Sequence, residues 1–183
     1  MKVQFSRHGL YALAGATALA LAVPGLPAAA AHRAAGAPRW LVENAKAHTV
    51  TLTLIAGYKG GGFDFDGDSN GKMVISVPAG YTVIVNFSNR GAAPHSAVVT
   101  LYNKRTSVMG FPLAFPGAGS PKPDRGIGKG KTQRFSFKAT KVGKYALVCA
   151  VPGHAVSGMW DVFQVTRGGK ATISGVQGVG PRA

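Results

Sequence analysis

A chain of 183 residues has room for one ordinary domain. Its 21 Lys and Arg against 6 Asp and Glu give a net charge of +15, yet 46% of the residues are hydrophobic, too many for a disordered chain. With 26 Gly, 11 Pro and only 15% charged residues it cannot be a coiled coil either. One cysteine excludes an intramolecular disulfide and a zinc site of several thiolates, and five histidines are too few for a large multinuclear metal centre.

The chain begins with a basic stretch (Lys2, Arg7, His8) and continues through an uncharged, Leu- and Ala-rich run over 9–26. Pro27 and the alanines that follow supply small residues for cleavage after Ala31, so residues 1–31 are predicted to be an export signal. The alternative is an uncleaved N-terminal anchor, because the run is long enough to span a bilayer, although Pro24, Gly25 and Pro27 interrupt it. Either outcome puts the rest of the chain outside the cytoplasm, in the periplasm or on the outer face of the cytoplasmic membrane. Membrane association is then expected to be peripheral or through the N-terminus.

Loss of Lys2 and Arg7 with the signal leaves 19 basic and 6 acidic residues over 32–183, a net +13. Such a field attracts anionic partners in a salt-dependent way. The cations are scattered as singles (Lys46, Lys59, Lys72, Arg90), with a mild concentration between Lys122 and Lys144 and no run of five. Nucleic acid is therefore not an expected partner.

In chain order, 32–47 is read as an N-terminal extension in which 40–47 could form a helical turn. Strands follow over 49–55, at Met73, Ile75 and Val77, and at Tyr81, Val83, Val85 and Phe87, where apolar residues recur with a period of two. Further strands are predicted over 96–102, around Phe135 and Phe137, around Tyr145, Leu147 and Cys149, and over 161–166. Turns separate them at Gly57 to Gly62, Pro78-Ala79-Gly80, Asn89-Arg90-Gly91 and Val142-Gly143-Lys144. Seven or eight short strands predict an all-β domain over 48–167, an antiparallel sandwich or Greek-key barrel. A long Gly- and Pro-rich insertion occupies 104–130, and 168–183 reads as a loose tail.

The strand that holds the one cysteine ends in Cys149-Ala150-Val151-Pro152-Gly153-His154-Ala155-Val156-Ser157-Gly158-Met159, a C-x4-H-x4-M loop. A second histidine, His95, opens another strand. Singly, a buried Cys, a lone His or a lone Met is usually filler. With five His and four Met in 183 residues, one of each at two set offsets from Cys149 is about a one-in-two-thousand coincidence. An exported thiol with no disulfide partner also survives best when it is buried or bound to metal. A thiolate, two imidazoles and a weak thioether form the ligand set of a blue-copper electron-transfer site. The soft sulfurs favour the cuprous ion, the imidazoles suit both oxidation states, and a trigonal arrangement is a compromise, so little moves when one electron arrives or leaves.

The C-x2-P-G-H-x4-M loop, together with N-x4-P-H at Asn89 to His95, resembles the cupredoxins. Within them it is similar to sulfocyanin and, more distantly, to rusticyanin. Plastocyanins have a shorter Cys-to-His gap and azurins a shorter His-to-Met gap. The stretch Phe63-Asp64-Phe65-Asp66-Gly67 resembles the F-N-F-N-G segment of sulfocyanins, with Asp in place of both Asn. The similarity covers about 49–166.

That resemblance implies an eight-stranded cupredoxin barrel with one mononuclear copper near a pole. His95, Cys149 and His154 would be the equatorial ligands and Met159 the axial one. Ser96 would hydrogen-bond the backbone beside Cys149. An edge of His154 would reach the surface through a collar of Ala92, Ala93, Pro94, Val151, Pro152 and Ala155, where an electron partner docks.

Asp66 to Gly71 matches the first six positions of an EF-hand calcium loop, but the twelfth position is Val77 and a strand follows, so an Asx- and Gly-rich turn is expected instead. His32 and His48 are expected to be exposed. Ligand counts exclude copper enzymes that need more histidines and a dinuclear centre that needs two cysteines. A Cys-His pair on one loop has no orienting partner, so no enzyme is expected. The reading is a monomeric blue-copper carrier passing single electrons between extracytoplasmic respiratory partners, such as a cytochrome complex or a terminal haem-copper oxidase. The alternative is a copper-binding or copper-delivery protein of the same fold. Structural zinc comes third, since a thioether is a poor zinc ligand.

Overall fold

The computed structural model describes residues 40–58 and 62–175. The predicted export signal and the end of the tail lie outside the described residues, as does His32. Among the described residues nine strands run in order: β1 Leu41–Asn44, β2 Thr49–Ala56, β3 Val74–Pro78, β4 Thr82–Asn89, β5 Val98–Leu101, β6 Thr132–Lys138, β7 Gly143–Val148, β8 Trp160–Thr166 and β9 Thr172–Ser174. A short 3-10 turn, Tyr102–Lys104, follows β5, and no α-helix occurs among the described residues.

Alternation produces the two-layer form. In β2, Val50, Leu52 and Leu54 are buried while Thr49, Thr51 and Thr53 are half-exposed. In β4, Val83, Val85 and Phe87 point inward, and in β6 Phe135 and Phe137 do. A side-chain period of two gives each strand one apolar face, which must be covered by another layer. The sheets are β1-β2-β4-β6 and β5-β7-β8-β3-β9, and residues of both meet in one core cluster.

Three features differ from the sequence reading. The sheets are mixed, because β2 pairs with β4 in parallel and so does β3 with β8. Alternation reveals which face of a strand is buried and says nothing about partner direction. The segment 40–47 is a strand and turn instead of a helical turn: β1 pairs antiparallel with β2, and the Asn44 side chain accepts the Ala47 amide at 3.0 Å to close the hairpin. The start of the tail joins a sheet: β9 pairs with β3, Ala171 is buried and its amide donates to the Glu43 carboxylate at 3.2 Å. The sheets thus draw in residues on both sides of 48–167.

The insertion runs along the otherwise free edge of β5. Ala114 N–H donates to the Val99 carbonyl at 2.9 Å, Val99 N–H to Ala118 at 2.8 Å and Ser120 N–H to Ala97 at 2.8 Å. Those bonds satisfy an edge that would otherwise be free to pair with another chain. Phe115 enters the core from this segment, stacked on Phe137 at 5.6 Å and tilted against Tyr145 at 4.8 Å. The far end of the insertion returns to the pole of the barrel, where Ile127 and His95 exchange both backbone hydrogen bonds at 2.7 and 3.1 Å.

Candidate metal centre

Cys149 stands one residue past the end of β7, and its face is fixed by the strand: Tyr145, Leu147 and Cys149 look into the main core, while Ala146, Val148 and Ala150 look outward. His95 arrives on the β4–β5 connection. Asn89, the last residue of β4, holds that connection by donating its side-chain amide to Ala93 O at 2.8 Å and Ile127 O at 2.7 Å, and by accepting the Gly91 amide at 2.8 Å. Gly91 is needed there, because a Cβ would stand 2.8 Å from His95 Nε2. His154 lies on the 149–159 loop. The loop is closed on itself by His154 N–H to Val151 O at 3.1 Å, Met159 N–H to His154 O at 3.0 Å and Cys149 N–H to Met159 O at 3.1 Å. Gly158 has a left-handed φ of 101°, and a Cβ would lie 2.6 Å from the Asn70 side chain. Asn70 N–H in turn donates to the Gly158 carbonyl at 2.8 Å, so the 62–71 segment braces the loop.

Three of the four residues singled out by spacing converge. Cys149 Sγ lies 3.4 Å from His154 Nδ1 and 3.8 Å from His95 Nδ1, and the two nitrogens are 3.2 Å apart. All three residues are buried. Met159 is fully buried in the core beside them, anchored by its backbone at both Cys149 and His154.

The fit to a metal follows from that triangle. The point equidistant from its corners is about 2.0 Å from each, by the three sides given above, which is the length of a metal–imidazole bond and slightly short of a metal–thiolate bond. Burial, together with the neighbouring His154, lowers the pKa of His95 to about 4, and burial lowers that of His154 too. Both rings are therefore neutral near pH 7, as ligation requires. Burial raises the pKa of the Cys149 thiol, opposed by backbone hydrogen bonds from Ser96 and Val151. An incoming cation would displace the thiol proton, and the two amides would remain to support the thiolate. The donor set of one sulfur and two imidazoles, facing one point in an apolar pocket, fits copper.

The support from Ser96 matches the expectation. Its hydroxyl accepts the Ala150 amide at 2.9 Å, and its own N–H points at Cys149 Sγ at 3.4 Å. The collar differs in one member: Ala155 is fully buried and packs with Val148 and Ala150. Phe63 takes a place at the rim instead. It is 42% exposed and lies over His154 at 4.5 Å and edge-on to His95 at 6.2 Å. Only its membership of the F-D-F-D-G stretch marked it in the sequence. His48 is exposed, as expected, and packs on Tyr81.

The Asp-rich stretch is the turn that was expected, with Phe65 and Asp68 exchanging backbone hydrogen bonds at 2.8 and 2.9 Å. Asp64, Asp66 and Asp68 are all buried, which composition alone would not suggest. Asp66 Oδ1 accepts Ile55 N–H at 2.7 Å, and Asp64 Oδ1 accepts the Tyr58 and Gly67 amides at 3.0 and 2.9 Å. Each bond uses a carbonyl-like oxygen that Asn would offer equally, which explains how Asp can occupy positions where the resembling segment has Asn.

The profile of the Sulfocyanin (SoxE) domain matches residues 38–172. A sulfocyanin of Sulfolobus acidocaldarius is 37% identical over 124 residues, which cover 63% of this chain and 62% of that protein. The chain thus spans less than two thirds of that relative. Among solved structures, a rusticyanin determined as two point variants superposes with a TM-score of 0.50 at 25% identity, over 70% of this chain and 87% of that one. Auracyanin A of Chloroflexus aurantiacus, described as a "blue" copper protein, gives 0.46 at 24% identity over 64% and 99% of the two chains.

Proposed function

Since the chain belongs to the sulfocyanin family of cupredoxins, we propose that it is a one-electron carrier whose copper would be held by His95, Cys149 and His154, with Met159 as a weaker fourth ligand. The observation that carries this reading is the buried triangle of one sulfur and two nitrogens. Copper bound there supplies exchange of a single electron between cuprous and cupric states.

The chain's own residues do the rest. Strand ends and the hydrogen-bonded 149–159 loop keep the three donors in place, so the ligand positions need not relax with each electron. The amides of Ser96 and Val151 hold the thiolate. Phe63 covers the imidazoles from the solvent side while His154 keeps a sliver of exposure, 9% against 0% for His95. Met159 is supported as fourth ligand by its spacing, its burial and its place in the loop.

The predicted export signal supports a site of action outside the cytoplasm. Among the described residues no helix is long and apolar enough to cross a membrane. Cytochrome complexes or terminal oxidases with acidic faces are the partners proposed, and salt should slow their reaction with this basic protein.

The test is a visible spectrum after one equivalent of cupric ion. An intense thiolate-to-copper band, bleached by ascorbate and missing in Cys149→Ser, is expected. A colourless protein, or a band indifferent to loss of Cys149, would sink the reading.

A further inference from the structure

The outer face of β7 carries a second aromatic group, away from the His154 rim. Ala146, Val148, Ala150 and Ala155 form a small cluster there, covered by Tyr102, Phe111 and Trp160. Tyr102 and Trp160 meet edge to face at 6.3 Å. Two cations sit on them: Arg105 lies 4.3 Å from the Tyr102 ring and 5.1 Å from the Trp160 ring, and Lys144 lies 4.3 Å from Tyr102. Arg105 donates one hydrogen bond to the Tyr102 carbonyl at 3.0 Å, and its buried Nε has no partner. Tyr102, Arg105 and Trp160 are half-exposed, Lys144 is exposed, and Leu101 beside them is 44% exposed. The result is an amphipathic, positively charged platform.

Exposed acidic charge is scarce on this molecule. Of the six acidic residues, Asp64, Asp66, Asp68 and Asp161 are buried and Glu43 is half-buried, which leaves Asp124 as the exposed carboxylate. Tyr and Trp rings carrying an Arg are the composition of interface anchors, and the added charge of Lys144 fixes the sign of what they meet. The platform also has a short bonded path to the metal centre. Cys149 N–H donates to the Met159 carbonyl at 3.1 Å, and the next residue is Trp160. Trp160 is also the register partner of Val148, the residue before Cys149.

We propose that Tyr102, Arg105, Lys144 and Trp160 form a second docking face, separate from the His154 rim, for the acidic surface of a one-electron redox protein. An electron leaves or enters through the Cys149–Met159 hydrogen bond and Trp160. One electron passes from the reduced to the oxidised partner, and no bond or proton moves. The link to Cys149 favours a redox protein over a membrane as occupant. The electron path rests on the copper reading above, whereas the docking face does not.

The test uses the full chain, copper-loaded and reduced so that it is diamagnetic, titrated with hexacyanochromate(III), a substitution-inert paramagnetic trianion. Amide broadening should centre on Tyr102 to Arg105 and on Lys144. It should fall at least roughly threefold in Arg105→Gln/Lys144→Gln, and persist in Lys138→Gln/Lys141→Gln, which loses the same charge elsewhere. Broadening confined to Val151 to Ser157, or spread evenly over the cations, overturns the face. So does equal broadening of the same amides by vesicles of anionic lipid. In a second arm, hexacyanoferrate(III) oxidises the protein and the thiolate-to-copper band is followed. Arg105→Gln/Lys144→Gln and Tyr102→Leu should each slow the reaction roughly threefold relative to the Lys138/Lys141 control. Unchanged rates overturn the electron path. If no copper binds, the proposed function has failed along with the path, and the first arm, run on the metal-free protein, still decides the docking face.

Discussion

Two buried polar clusters lie side by side at one end of this molecule, and they are built on opposite principles. At the metal centre, His95, Cys149 and His154 turn one donor atom each toward a common point. In the neighbouring Asp cluster, each of Asp64, Asp66 and Asp161 spends one oxygen on backbone amides, from Tyr58 and Gly67, from Ile55 and from Met73 respectively. Among the described residues no set of carboxylates brings three ligand atoms together as the His–Cys–His group does. Convergence on a point makes a cation site, and dispersal onto amides makes a brace. The brace serves the site, because it holds Phe63 over the imidazoles and Asn70 against the 149–159 loop.

The largest expected effect separates the clusters by metal. Copper binds the folded state, so at a free concentration a thousandfold above its dissociation constant it should add about 4 kcal/mol to stability. Calorimetry should find that gain in the wild type and lose it in Cys149→Ser. An equal gain in the variant would mean that copper goes elsewhere.

The brace should respond to protons in the opposite sense from an ordinary surface carboxylate. Burial, above all, raises the pKa of Asp161 to about 8 and that of Asp66 well above the usual range. A folded pKa above the unfolded value means that stability is complete below about pH 4 and drains away as pH rises toward 8. Asp66→Asn keeps the acceptor for Ile55 and cannot ionise. Its advantage over the wild type should therefore grow as pH rises above about 4 in denaturant titrations; a constant difference would break the account. Asp66→Ala, which strands the Ile55 amide, should cost about 1–3 kcal/mol.

Smaller effects sharpen the boundary between the two regions. Ser96→Ala removes the acceptor for Ala150 N–H and should cost about 1 kcal/mol. With less support for the thiolate environment, its reduction potential measured by voltammetry should move relative to the wild type. Phe63→Ala, at an exposed rim position, should change stability by less than about 1 kcal/mol. It should nevertheless speed removal of copper by a chelator, since it uncovers His154.

Much of the site was legible because metal ligation is a local demand. Cys149, His154 and Met159 sit on one loop, and His95 follows a recognisable Asn89 to Pro94 lead. The strands with clean alternation, such as those at Val83 to Phe87 and Phe135 to Phe137, were equally plain. What escaped depends on distant partners. β1 and β9 are too short to show a period and exist because β2 and β3 offer edges. The parallel pairings need knowledge of which strands meet. Burial of Asp64, Asp66 and Asp68 has no signature in composition, because it rests on amides from elsewhere in the chain, among them those of Ile55 and Tyr58. Phe63 was visible as part of a motif, but its stacking on His154 was not.

The central claim is that one rigid set of donors serves both oxidation states, and copper K-edge X-ray absorption on a single sample, first cupric and then reduced, tests it most directly. The account predicts two nitrogens and the thiolate sulfur as close neighbours in both states, with the Met159 thioether as a weaker, longer contact and only small changes in distance. Loss of the sulfur, or a change in coordination number on reduction, would contradict it and favour a site built to release its metal.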